Sequence, residues 1–162
     1  MTVRPTTAAL VAVVGAVTVT AGCGDEDRAG DGGLPAVVLP ALAGSGTLDV
    51  RTLEGPAVVN LWATWCAPCR TELPAFQAAS DQRDGVRFVG VDIGEDPADA
   101  QAFLDELGVT FEQYADVHGE LSDALGVAAL PVTIVVDDDG DIVERHVGPM
   151  SADELDGALA DR

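Results

Sequence analysis

A pair of cysteines stands directly behind a continuous apolar run, and this arrangement restricts the folds open to the chain. Residues 56–62 read PAVVNLW, which is typical of a strand buried on both faces of a sheet. Cys66 and Cys69 follow, and a helix is predicted from about Cys66 to about Arg83, with a kink at Pro74. The pair therefore lies where a buried strand turns into a helix.

The remaining segments continue this alternation of strands and helices. Strands are predicted at residues 36–42, 47–51, 86–93, 111–114, 132–136 and 142–147, and helices at 97–107, at 119–125 and from the capping box Ser151–Glu154 onward. The first two strands are expected to form a hairpin. The pattern predicts an α/β fold over residues 34–162, with a central mixed sheet, helices on both faces and an added N-terminal hairpin.

The charge balance excludes one class of partner. The 162 residues include 28 acids but only eight basic residues, all of them arginines, so the formal net charge is −20. A surface this acidic repels phosphate groups, and we expect no nucleic-acid partner. We interpret the excess of acid as a solubility feature and assign no binding partner to it.

The first 22 residues have the three regions of a secretory signal peptide. Arg4 is followed by an apolar run at residues 6–20 and then by two small residues before Cys23. The ending Thr20-Ala21-Gly22-Cys23 resembles the bacterial lipoprotein signal, which implies that Cys23 is lipid-modified and becomes the new N-terminus. An ordinary signal peptide, or an uncleaved anchor, is the alternative interpretation.

A short polar segment separates this signal from the folded domain. Residues 24–33 read GDEDRAGDGG, and none of them is an apolar side chain larger than alanine. Such a segment cannot bury a core, so residues 23–33 are predicted to be a lipid-anchored tether. The protein is therefore expected at the outer face of the cell membrane, in a compartment that permits disulfides.

The setting of the cysteine pair favours redox chemistry. A helix N-terminus presents unpaired backbone N–H groups and a dipole that stabilise a thiolate, which is the species that attacks disulfides. Cys69, one turn after Cys66, is placed to resolve the mixed disulfide. A purely structural disulfide is less favoured, because closing so short a loop constrains the unfolded chain little.

A metal site is the weaker alternative for the same pair. A closed zinc site needs four ligands. After these two thiols the chain offers only His118 and His146, and their spacing is not that of a ligand pair. We therefore predict no metal and no cofactor.

The motifs around this pair are similar to those of the thioredoxin superfamily, in its membrane-anchored, extracytoplasmic TlpA/ResA-type branch. The resemblance covers residues 34–162 and depends on these segments: Val59–Arg70, Thr71–Pro74, Gly126–Thr133, Asp139-Gly140 and Gly148. It implies a thioredoxin-like fold and a thiol–disulfide oxidoreductase activity that uses the Cys-x-x-Cys dithiol.

The resemblance also implies individual roles for the site residues. Cys66 would be the nucleophile and Cys69 the resolving thiol. Pro131 would be a cis-proline that presents the Leu130 backbone to an extended client peptide, as a strand edge does. Trp65, just before Cys66, is expected to shield the pair and contact the substrate.

Proton handling is the role implied for an acidic residue near the pair. Cytosolic thioredoxins carry a buried Asp where this chain has Asn60, whereas the branch resembled commonly has Asn there and a Glu after the second cysteine. Glu72 matches that Glu and lies three residues beyond Cys69 on the same helical face. It could accept the Cys69 proton. Alternatively, Glu72 is only an acid favoured in a first helical turn.

The direction of electron flow is inferred from the residues between the cysteines. Ala67 and Pro68 lack the histidine of strong oxidants, which resembles the more reducing family members. We therefore expect a disulfide reductant for envelope proteins that bear disulfides, with apocytochrome c as a candidate client in cytochrome c biogenesis. A membrane thiol–disulfide carrier would supply its electrons. A disulfide oxidant or isomerase and a copper-binding thiol protein are the alternatives, and a thiol peroxidase motif is lacking.

Overall fold

The computed structural model describes residues 1–2, 32–53, 55–94 and 96–160. The predicted signal peptide from residue 3 onward, the predicted lipidation site Cys23 and nearly all of the predicted tether lie outside these residues. Within the described ranges, no helix is both long enough and apolar enough to cross a membrane.

The described chain forms a five-stranded mixed sheet, a separate two-stranded hairpin and four α-helices. The strands are β1 (Val38–Pro40), β2 (Thr47–Asp49), β3 (Ala57–Trp62), β4 (Arg87–Asp92), β5 (Glu112–Ala115), β6 (Val132–Val136) and β7 (Ile142–Val147). The helices are α1 (Ala67–Gln82), α2 (Pro97–Leu107), α3 (Glu120–Ala124) and α4 (Ala152–Leu159), with a 3-10 turn at Val50–Thr52. The predicted α/β class and the predicted hairpin of β1 and β2 are confirmed.

The sheet order is β5-β4-β3-β6-β7, which places β3 at its centre. β3 runs parallel to β4 and antiparallel to β6, and every residue of β3 is buried. This explains the continuous apolar run PAVVNLW, since a central strand covered on both faces has no polar side. The loop that follows β3 carries the cysteine pair to the start of α1.

Local signals in the sequence fix the helix ends. Asp96 caps α2 by accepting the Ala98 backbone N–H, Pro97 begins the helix, and Gly108 ends it with a left-handed φ of 68°. Ser151 and Glu154 form the predicted capping box of α4. The bounds of α2 therefore agree with the sequence prediction.

The core lies on the two faces of the sheet, and alternate residues of β3 contribute to each. Val58 and Trp62 pack with the residues that α1, α2 and α4 bury, including both cysteines. Val59 and Leu61 pack on the opposite face with the hairpin and with Leu121 of α3. Two helical layers and the hairpin therefore hold the central strand, and with it the loop that leads to Cys66.

A side-chain brace crosses three strands on the first of these faces. Gln113 of β5 reaches over Gly90 of β4 and accepts a hydrogen bond from the indole N–H of Trp62 on β3, at 3.0 Å. A Cβ on Gly90 would overlap the amide group of Gln113. Glycine is therefore required here for close approach, and the brace supplies the buried indole donor with its acceptor.

Replacement of Gly90 by Ala tests this brace. The new methyl group should displace Gln113 and leave the Trp62 N–H unsatisfied, lowering the free energy of unfolding by about 1–3 kcal/mol. In a Gln113→Ala background the same methyl should cost much less, which chemical denaturation in a double-mutant cycle measures. Gly157→Ala in α4 is the matched control, since its Cβ meets nothing within 4 Å and alanine favours helix by about 1 kcal/mol. Equal costs for Gly90→Ala in both backgrounds would contradict the brace.

Candidate active site

Cys66 and Cys69 form a disulfide at the N-terminus of α1. Cys66 is the N-cap residue, and its sulfur accepts the backbone N–H of Cys69 at 3.3 Å. Pro68 occupies the first turn, where its missing N–H costs no helical hydrogen bond. Both cysteines are buried in this form, with 4 % of Cys66 and none of Cys69 exposed. The predicted strand-to-helix corner is confirmed, although Cys66 is covered nearly as well as Cys69.

Glu72 is buried within the same helix, one turn after Cys69. Only 3 % of this residue is exposed, and its Oε1 accepts the backbone N–H of Met150 at 2.9 Å. The Asn60 amide N–H donates to Glu72 Oε2 at 3.4 Å and to Thr133 Oγ1 at 3.1 Å. Glu72 is therefore more than a solvated acid of a first helical turn. It belongs to a buried polar cluster contributed by α1, β3, β6 and the segment before α4.

The surroundings of the Glu72 carboxyl group raise its pKa toward neutral pH. Burial raises the pKa of Glu72 to about 7, because an ionised carboxylate loses hydration there. Hydrogen bonds from Met150 and Asn60 and the charge of His146 oppose the rise. A group with this pKa can both take and release a proton near pH 7.

A cis peptide bond joins Leu130 to Pro131 directly before β6, as the family resemblance implied. Pro131 is buried, while Leu130 is half-buried and packs against the core cluster that contains both cysteines. Trp65 precedes Cys66 and is 68 % exposed, whereas Trp62 lies wholly in the core. The loop before α1 thus presents an aromatic side chain to solvent beside the disulfide.

Arg70 follows Cys69 directly in the chain, and its side chain contacts α2. Arg70 pairs with Glu106 at 2.9 Å and stacks on the Phe103 ring at 4.6 Å, which accounts for its guanidinium. His118 and His146 are not brought together with the thiols, and the described ranges contain no group of three potential metal ligands.

Two partners in the buried cluster were not predicted from the sequence. Thr133 lies two residues after Pro131 in the Gly126–Thr133 motif, but the motif did not predict that its hydroxyl contacts Asn60. The Met150 contact is made by a backbone N–H, 78 positions from Glu72 in the chain. A second cis bond at Gly55-Pro56 was also unforeseen.

The fold and the site together define a class of protein: the thioredoxin-like proteins with a Cys-x-x-Cys pair at the first central helix and a cis-proline before an antiparallel strand. The Redoxin family profile matches residues 28–160. The chain is 35 % identical to the thiol-disulfide oxidoreductase ResA of Oceanobacillus iheyensis over 71 % of this chain and 62 % of that protein. It is 37 % identical to the thiol:disulfide interchange protein HelX of Rhodobacter capsulatus, over 75 % and 69 %.

The solved structures agree with these sequence relatives. A secreted Mycobacterium tuberculosis disulfide oxidoreductase homologous to E. coli DsbE superposes with a TM-score of 0.70 at 27 % identity, over 78 % of this chain and 96 % of that one. The chain therefore belongs to the redoxin family, in its ResA/DsbE-type thiol-disulfide oxidoreductase group. The match spans a little under two thirds of the length of the ResA relative.

The raised pKa of Glu72 predicts a pH-dependent contribution to stability. Between its ordinary 4.5 and about 7 the folded protein binds more protons than the unfolded chain. The contribution of Glu72 is therefore complete below pH 4.5 and is lost as the pH rises through 7. As the pH rises from 5 to 8.5, the free energy of unfolding of Glu72→Gln should increase relative to that of wild type by roughly 2–3 kcal/mol. Denaturation of the oxidised proteins at both pH values measures this change.

Glu154→Gln is the matched control for this experiment. Hydrogen bonds from Ser151 lower the pKa of Glu154, so its contribution has the opposite sign: it is present at neutral pH and lost on acidification. A difference between wild type and Glu72→Gln that does not change with pH would contradict the buried, half-titrating carboxyl group.

Proposed function

We propose that this protein is an extracytoplasmic thiol–disulfide oxidoreductase that reduces disulfides in envelope proteins. The observation that carries the proposal is the placement of the Cys66–Cys69 disulfide at a helix N-terminus, one turn before a buried carboxyl group. A structural disulfide does not need such a neighbour, whereas thiol exchange needs a proton acceptor. The family membership supports thiol–disulfide exchange as the activity.

The first step is attack by the reduced Cys66. The N-terminus of α1 stabilises its thiolate, because backbone N–H groups and the helix dipole favour negative charge there. The thiolate attacks one sulfur of a client disulfide and forms a mixed disulfide. The other client sulfur leaves with the bonding electron pair as a thiolate.

The second step releases the client. The Cys69 thiol gives its proton to Glu72, and the resulting thiolate attacks the Cys66 sulfur. The remaining client sulfur leaves with the electron pair, and the Cys66–Cys69 disulfide forms. Two electrons have then passed to the client. Cys69 is fully buried in the disulfide form, and the buried Glu72, one turn further along α1, is the proton acceptor that we assign to it.

Three residues are proposed to contact the client. The exposed Trp65 offers an aromatic surface next to Cys66, and Leu130 and Pro131 offer backbone and apolar contacts before β6. A peptide that adds to this backbone in an extended form would bring its disulfide to Cys66. Apocytochrome c, whose paired cysteines must be reduced before haem attaches, is the proposed client.

The direction of transfer requires an electron supply outside the cytoplasm. We assign this supply to a membrane thiol–disulfide carrier.

Removal of the signal peptide 1–22 and lipidation of Cys23 would hold the domain 34–162 at the outer face of the membrane by the tether 23–33. Cys23→Ser should move the protein from the membrane fraction to the soluble fraction, and unchanged partition would contradict the lipid anchor.

Replacement of Cys69 by Ser should trap clients. Without the resolving thiol, mixed disulfides on Cys66 should accumulate and be visible as adducts on non-reducing gels that mass spectrometry identifies. Cys66→Ser is the matched control and should trap none. The assignment of nucleophile and resolving thiol would be reversed if Cys66→Ser captured partners and Cys69→Ser did not.

The reduction potential of the pair distinguishes a reductant from an oxidant. Equilibration with glutathione or dithiothreitol buffers should give a value near −270 mV, the range of thioredoxin, because no histidine lies between the cysteines. A value near −120 mV would instead assign the protein to the oxidants, which install disulfides.

A further inference from the structure

One five-residue stretch, His146–Met150, contacts both halves of the candidate site, and we name it the clamp segment. The Gly148 backbone N–H donates to the Pro131 carbonyl oxygen at 2.9 Å. The Met150 backbone N–H donates to Glu72 Oε1 at 2.9 Å. Two amides only two residues apart therefore hold the proposed client-contacting proline and the proposed proton acceptor.

A histidine closes the clamp segment on itself. The His146 Nε2 lies 3.2 Å from the Pro149 carbonyl oxygen. Because a carbonyl oxygen only accepts, Nε2 is the nitrogen that carries the hydrogen of this contact. Gly148, inside this turn, has a φ of 104°, which L side chains rarely adopt. The ring thus ties the ends of the turn from which both amides project.

The same histidine faces the buried polar cluster. His146 pairs with Thr133 across β6 and β7, and residues opposite each other in antiparallel strands point to the same face. The polar side chains near His146 of β7 are Glu72 from α1, Asn60 from β3 and Thr133 from β6 in the buried cluster, and the exposed Glu154 from α4. Among these groups, His146 alone can be positive.

We propose that His146 is a positioning residue for thiol–disulfide exchange, which holds the clamp segment on Pro131 and Glu72 and brings its imidazole to the face of the sheet on which the carboxyl group lies. The inference rests on the proposed function, in which Glu72 takes the Cys69 proton. The imidazole takes no part in the sulfur chemistry: the electron pair passes between sulfur atoms and the proton ends on Glu72. A protonated His146 favours the ionised carboxylate, which is the form able to accept that proton.

Two variants separate the hydrogen bond between His146 and Pro149 from the charge of His146. His146→Phe keeps an aromatic ring but removes both the donor and the cation, whereas His146→Gln keeps an N–H donor without the charge. In His146→Phe, hydrogen exchange at the Gly148 and Met150 amides should accelerate about five- to tenfold, as expected for one lost hydrogen bond. His146→Gln should retain most of this protection. His118→Gln, the exposed second histidine of the chain, is the matched control and should leave both amides unchanged.

The charge is read from the Glu72 carboxyl group itself. A carbon-13 NMR titration should give a higher midpoint for Glu72 in both His146 variants than in wild type, because the neighbouring cation is gone. A half-unit rise would lower the ionised fraction at pH 7 by about twofold. A merely structural role would not move this midpoint in His146→Gln.

The outcomes separate this inference from the proposed function. Wild-type amide exchange in His146→Phe, or an unchanged Glu72 midpoint in His146→Gln, would overturn the role of His146. Full thiol–disulfide exchange activity in Glu72→Gln would instead overturn the role of Glu72 as proton acceptor. The amide exchange and the carboxyl titration do not depend on that activity, so they test His146 in either case.

Discussion

The hydrogen bonds that surround the buried Glu72 carboxyl group hold the site together. A carboxylate removed from water is costly unless donors replace its hydration, and here the Asn60 side chain and the Met150 backbone provide them. These donors come from the central strand and from the segment before the last helix. Their contact with α1 fixes the helix that carries Cys69 against the sheet, and α4 is thereby connected to the redox pair.

Burial and hydrogen bonding have opposite effects on the ionisation of this carboxyl group. Burial raises the pKa of Glu72 and the donors lower it, with a net value of about 7. Replacing such a group with an apolar residue would remove the desolvation cost. A buried carboxyl group at this position is explained if it exchanges a proton with the buried Cys69 thiol. Stability above neutral pH is then lower than an apolar core would allow.

Much of this arrangement could be predicted from local sequence signals. The bounds of α2 follow from Pro97 and Gly108, and β6 and β7 lie where the apolar pattern places them. The position of the cysteine pair at the start of α1 follows from the same signals. Of the site residues taken from the family motifs, Cys66, Cys69 and Glu72 lie on α1 or at its start, while the catalytic roles of all of them stay predictions.

The contacts that were missed join distant parts of the chain or use backbone groups. Met150 contributes an amide that every residue except proline carries, so no side-chain pattern could reveal it. The Trp62–Gln113 bond spans 51 positions and depends on the missing side chain of Gly90. The burial of Glu72 depends on the packing of four elements, and a helix position alone leaves it undecided.

The rate at which a Cys66 mixed disulfide resolves, followed against pH in wild type and Glu72→Gln, tests the central claim most directly. The account predicts that the wild-type rate rises with a midpoint near pH 7, because ionised Glu72 accepts the Cys69 proton. In Glu72→Gln this rise should be absent, and resolution should accelerate only where the thiol ionises on its own. The same midpoint and the same rate in both proteins would contradict the account.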